Sequence, residues 1–130
     1  MRKKEEKNAI IEICPVRNVV ARFGNKWALL VIYLLSESGP TRFNQLGKLI
    51  PDISTKVLAQ TLRTLEADGL VTRTVWPEVP LRVEYALTDM GRSLVPIIVQ
   101  LTGWAQEHMQ TVLQHRRRFG VPAEDESVAR

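Results

Sequence analysis

At Gly69 the hydrophobic rhythm of this chain changes, and that change limits the possible folds more than any other feature. Before it, Leu58, Leu62 and Leu65 recur at i, i+4 and i+7, the buried stripe of an amphipathic helix. Ser54 is the natural N-cap of that helix, which runs to about Asp68, and Gly69 is the expected residue beyond its C-terminus. After it, Val71-Thr72-Arg73-Thr74-Val75 and Arg82-Val83-Glu84-Tyr85-Ala86-Leu87 alternate with the period of a strand. Trp76-Pro77-Glu78-Val79-Pro80-Leu81 lies between them and is too proline-rich to pair throughout. The two runs therefore read as a two-stranded hairpin with a mobile tip.

Other helices surround this pair. Residues 1–13 form an arm, charged at first and then apolar at Ile10, Ile11 and Ile13. Pro15 suits the first turn of a short helix carrying Val16, Val19, Val20 and Phe23, which Gly24 ends. Asn25 caps a second helix, Lys26 to about Ser38, with Trp27, Leu30, Val31, Leu34 and Leu35 as its expected buried stripe. A third runs roughly from Arg42 to Ile50 with Phe43, Leu46, Leu49 and Ile50 on its apolar face, and Pro51-Asp52-Ile53 is a turn. Thr88 caps the last helix, Asp89 to about His115, where Pro96 is expected to introduce a bend. From Arg116 the chain reads as a frayed tail. The expected organisation is an arm (1–13), one domain with a C-terminal dimerisation helix (14–115) and a flexible tail (116–130). Four helices, a hairpin and a helix make a mainly α fold of winged helix-turn-helix type.

A chain of 130 residues has room for one modest core. No apolar run approaches the roughly 20 residues that span a bilayer, and the basic N-terminus does not read as a signal peptide, so a cytoplasmic address is expected. The single cysteine, Cys14, rules out an intrachain disulfide or a cysteine cluster for a metal. His108 and His115 are seven apart without nearby ligands, and no catalytic triad, carboxylate pair or phosphate loop stands out. Neither an enzyme nor a cofactor is expected. Trp27, Trp76 and Trp104 read as core, hairpin and interface packing rather than as a ligand pocket. The net charge of +4 favours a polyanionic partner, and its distribution says more. Residues 1–75 hold twelve Lys/Arg against seven Asp/Glu, whereas the rest hold six against seven.

With the leucines buried, the helix from Ser54 to Asp68 presents Thr55, Lys56, Ala59, Gln60 and Arg63 on its other face. Small and polar residues at its start allow close approach to base edges in a major groove, and Lys56, Gln60 and Arg63 are long enough to reach bases or phosphates. Arg42 is a candidate phosphate contact. Arg73 and Arg82 flank the hairpin and either follow the minor-groove backbone or pair with Glu78 or Glu84. The alternative for the whole chain is a winged helix that binds protein and not DNA; such an adaptor would more often present an apolar or acidic face. Leu94, Ile97, Ile98, Leu101 and Trp104 on the last helix, with the Ile-rich arm, exceed what a lone domain of this size covers, so a homodimer is expected on a palindromic DNA site.

Several segments together resemble a known family. They are Cys14-Pro15, Gly24-Asn25-Lys26-Trp27, Arg42-Phe43-Asn44-Gln45-Leu46, Ile53-Ser54-Thr55-Lys56-Val57-Leu58, Leu62 to Val71, and Val83-Glu84-Tyr85-Ala86-Leu87-Thr88. The sequence resembles the HxlR-type family of bacterial transcriptional regulators over roughly residues 12–110. The resemblance implies a winged-helix homodimer whose N-terminal segment and C-terminal helix build the interface, with the helix matching Ser54–Asp68 turned to DNA. It also implies regulation of nearby genes, often in response to electrophiles, aldehydes or oxidants. Cys14 is then a candidate redox sensor. A helix start and Arg17 both favour its thiolate, while the bland alternative is a small buried apolar side chain.

Overall fold

The computed structural model describes residues 15–121, in the order α1 (Pro15–Phe23), α2 (Ala28–Ser38), β1 (Thr41–Arg42), α3 (Phe43–Leu49), α4 (Thr55–Ala67), β2 (Val71–Trp76), β3 (Arg82–Leu87) and α5 (Asp89–Phe119). Cys14 and the arm with Ile10, Ile11 and Ile13 lie outside the described residues, as do residues 122–130. The winged helix-turn-helix architecture is as the hydrophobic rhythm implies, with one addition. The sheet has three strands, in the order β1-β3-β2, all antiparallel. Thr41 pairs with Tyr85 and Arg42 with Glu84, so the two residues before α3 close the inner edge of the hairpin. A two-residue strand has no period to detect, which is why Arg42 reads as helical in the sequence.

The core is built from α2, α3, α4 and the base of the sheet: Ala28, Val31, Ile32, Leu35, Leu46, Ile50, Leu58, Leu62, Leu65, Leu70, Val71 and Leu87 are buried. The α4 stripe is the expected one. The α2 stripe agrees with expectation only at Val31 and Leu35. Ala28, Val31, Ile32 and Leu35 point inward, Trp27 and Leu34 are half-buried, and Leu30 is exposed. Because α2 is Ala-Leu-Leu-Val-Ile-Tyr-Leu-Leu in its first eight residues, apolar nearly all round, its period carries no phase. Leu49, expected on the apolar face of α3, is likewise exposed, at 51%.

Local capping follows simple donor accounting. Asn25 Oδ1 accepts from the backbone N–H groups of Trp27 and Ala28, both at 2.9 Å, so it caps α2 although the helix begins two residues later than its sequence suggests. Ser54 Oγ accepts from Val57 N at 3.1 Å at the head of α4. At its tail, Leu70 N donates to Leu65 O (2.9 Å) and Gly69 N to Glu66 O (3.1 Å). The Thr88 hydroxyl donates to Gly69 O (2.7 Å) and accepts from Gly91 N (3.0 Å), while Thr88 N donates to Leu70 O (3.1 Å). That knot ties the end of α4 to the first turn of α5. It also brings the two backbones so close that a Cβ on Gly91 would lie 2.2 Å from Leu70 O. Arg22 of α1 pairs with Asp68 at 3.2 Å, a second tie to the end of α4.

The chain divides into two compact units, one up to Arg92 and one from Ser93. In the second unit α5 runs to Phe119, four residues beyond its expected end and into the stretch read as a frayed tail. Arg116, Arg117 and Arg118 sit in its last turn, where cations meet the negative end of the helix dipole. Gly120 then closes it at φ 92, with Val121 N bonded to Arg116 O at 3.0 Å. The helix is 31 residues long, about 46 Å at 1.5 Å per residue, and Pro96 lies inside it. Along it Ile97 (59%), Leu101 (57%) and Trp104 (53%) are exposed, whereas Leu94 is half-buried and Ile98 is already buried in the single chain. His108 stacks on Trp104 with ring centroids 4.6 Å apart.

Candidate nucleic-acid interface

On α4 the inward leucines force the intervening residues outward. Lys56, Ala59, Gln60, Arg63 and Thr64 line one shallow groove on the outer face of the helix, so three of the expected DNA-reading side chains share a surface. Ser54 and Thr55 fall in a second groove, bounded by Phe43, Asn44, Gly47, Lys48, Ile53 and Leu58. There the free backbone N–H groups at the head of α4 stand beside a lysine and an amide, donors suited to a phosphate. The Ser54 hydroxyl oxygen is occupied by its capping bond, but its hydrogen remains available.

Asn44 and Lys48 were not among the residues singled out from the sequence. Their signal was present: they are i and i+4 on the side of α3 opposite Leu46. Arg42, at the head of α3, donates its backbone N–H to Gln45 Oε1 (3.2 Å) and is exposed.

The cations divide into two groups. Arg42, Lys48, Lys56, Arg63 and Arg73 are exposed, and among the described residues none has an ion-pair partner. Arg82 is different. It pairs with Glu78 and with Glu84, each at 3.3 Å, and its guanidinium lies 4.7 Å from the ring centroid of Trp76, its cross-strand neighbour. Of the two sequence readings for the hairpin arginines, pairing holds for Arg82, while Arg73 is left free. Arg22 and Arg92 are engaged with Asp68 and Asp89.

A helix-turn-helix with its outer face lined by unpaired cations and amides, followed by a hairpin, matches one known pattern. Residues 22–113 fit the model of the HxlR-like helix-turn-helix. The chain belongs to that family. An uncharacterised HTH-type transcriptional regulator from Methanothermobacter thermautotrophicus is 44% identical over 94 residues, covering 72% of this chain and 71% of that protein. Among solved structures, the redox regulator HypR in its reduced form superposes with a TM-score of 0.72 at 37% identity, over 77% of this chain and 98% of HypR. The reduced form of the transcriptional regulator YodB from Bacillus subtilis gives 0.64 at 36%, over 73% and 93%. HypR in its oxidised form and diamide-treated YodB also match. As a member of the HxlR-like family, this chain is a DNA-binding transcriptional regulator of winged-helix type. Among its described residues no single helix is long and apolar enough to cross a membrane.

Proposed function

We propose that the chain binds a palindromic DNA site as a homodimer in the cytoplasm, with α4 of each subunit in the major groove. The observation that carries this reading is the outer face of α4, where Lys56, Gln60 and Arg63 share one groove and no carboxylate of the described residues neutralises either cation. Gln60 and Arg63 read bases. Ser54, Thr55, Asn44 and Lys48 hold a phosphate at the helix head, and Arg42 and Arg73 hold others. Arg82, engaged by Glu78, Glu84 and the Trp76 ring, keeps the hairpin in shape and is not a DNA contact. Selection of bound duplexes from a random pool, followed by footprinting, tests the reading directly.

Single substitutions separate the roles. Gln60→Ala and Arg63→Ala should each weaken binding to the selected site by about 1–3 kcal/mol and relax its sequence at one position. Arg42→Ala should weaken all duplexes alike, because a phosphate contact carries no sequence information. Loss of specific binding alone in Arg42→Ala would reverse that assignment.

For the dimer, the support is apolar surface left uncovered in one chain. Ile97, Leu101 and Trp104 form an exposed i, i+4, i+7 row on α5, and Val16 (72%), Val19 (54%) and Val20 (62%) are exposed on α1, directly after the Ile-rich arm. Ile98, buried in the single chain, has little surface left for a partner. Light scattering should give twice the chain mass at micromolar concentration, and Trp104→Glu should shift it toward the monomer. A monomer mass for the native protein would end the dimer reading.

Cys14 is proposed as a redox sensor, in keeping with the redox regulator HypR and diamide-treated YodB among the structural neighbours. With no second cysteine, the available chemistry is a Cys14–Cys14 bond between subunits, a mixed disulfide or alkylation. In the first, diamide accepts the two electrons and two protons that the thiols lose as the S–S bond forms. Treatment should lower DNA affinity of the native protein and leave Cys14→Ser unaffected. Full affinity after confirmed modification would make the thiol structural.

A further inference from the structure

We propose that the tip of the hairpin is an apolar wedge that enters the minor groove beside the site read by α4, parts a base step and bends the DNA; this rests on the DNA-binding reading above. Three observations converge on it. The tip is apolar and uncovered: Val79 is fully exposed, Leu81 is 64% exposed and Trp76 42%, with Pro77 and Pro80 between them. It offers phosphates no free cation, because Arg82 is held by Glu78, Glu84 and the Trp76 ring, and Arg73 stands nearer the base of β2. And it has the reach. Six residues of β2 extend about 20 Å at 3.3–3.4 Å each. Half a turn of B-DNA, which separates a major groove from the next minor groove, is about 17 Å.

A hairpin that only followed the backbone would present cations at its tip, as the head of α4 does with Lys48. Here the one cation near the tip, Arg82, is taken up by two carboxylates, Glu78 and Glu84. What remains outward is the side-chain chemistry that proteins insert between base pairs, branched aliphatic and proline. The Arg82 bridge gives the tip a firm base, since one guanidinium joins the loop residue Glu78, the β3 residue Glu84 and the last residue of β2. Insertion would bury apolar surface that the free chain leaves in water.

The test uses the full chain, Val79→Ser/Leu81→Ser and Arg73→Ala, with a duplex selected by the native protein. The duplex carries a fluorophore pair at its ends for energy transfer and 2-aminopurine at flexible pyrimidine–purine steps. Native protein should bring the ends together and raise 2-aminopurine emission. The double variant alters solvent-facing side chains and keeps every phosphate contact. It should bind roughly tenfold more weakly with an unchanged salt slope, and at saturation it should leave the duplex straight and the 2-aminopurine quenched. Arg73→Ala should do the reverse, lowering the salt slope and keeping the bend. A straight duplex under the native protein, or equal bending by the double variant, overturns the wedge while DNA binding stands; equal bending is also the result if the tip serves a protein partner. Failure of the native protein to bind any duplex overturns both.

Discussion

Raising salt from about 50 to about 200 mM is expected to weaken specific DNA binding by roughly 10³–10⁵-fold. Arg42, Lys48, Lys56 and Arg73 in each subunit are exposed and free of ion pairs within the described residues, so a dimer would neutralise about eight phosphates. Each releases about 0.9 of a counterion, and a plot of log affinity against log salt should slope at about −7. Arg42→Ala, present twice in the dimer, should flatten that slope by about two. Fluorescence anisotropy on a labelled duplex reads both values. A response flat in salt would remove the phosphate contacts altogether and favour the winged helix as a protein-binding adaptor.

Leu62→Ala is expected to cost about 2–5 kcal/mol of folding stability. Leu62 is 1% exposed and lies midway along the stripe with which α4 packs on α2 and β2. Truncating it loses transfer free energy and leaves a cavity that two neighbouring leucines on the same helix can only partly close. Urea unfolding should show a lower midpoint at an unchanged slope. Leu49→Ala is the matched control. The same sequence reading placed Leu49 on a buried face, yet it is 51% exposed, and its removal should stay within about 0.5 kcal/mol. Equal losses in the two variants would mean that the stripe is not the core.

Legibility in the sequence tracked the contrast between polar and apolar positions. Along α4 the leucines alternate with Lys56, Gln60, Arg63 and Glu66, so period, phase and outer face could all be read. Along α2 there is almost no such contrast, so Val31 and Leu35 can be placed inside but Ala28 and Ile32 cannot be told from Trp27, Leu30 and Leu34. The end of α5 was misplaced for another reason. Three consecutive arginines look like a solvated tail unless Gly120, at positive φ, is recognised as the stop signal. Side-chain pairing within the hairpin is not fixed by local sequence. Glu78 and Glu84 were both visible partners, but only the strand register, which sets Trp76 opposite Arg82, decides that Arg82 rather than Arg73 takes them. Asn44 and Lys48 are hard to read as a pair because seven residues of α3 give too few turns to define a polar face.

The pairing of β1 with β3 has a consequence for modularity. Thr41 and Arg42 take their strand partners, Tyr85 and Glu84, from beyond the recognition helix and the first long strand of the hairpin. Contacts so distant in sequence carry the entropic cost of closing a long loop. The reading head is therefore a single cooperative piece rather than a helix-turn-helix with an ornament attached. A fragment ending before β3 would lack the strand that holds Arg42, and α4 transplanted alone would arrive without the frame that aims it. Moving the outer face of α4 to another protein therefore means moving the hairpin with it.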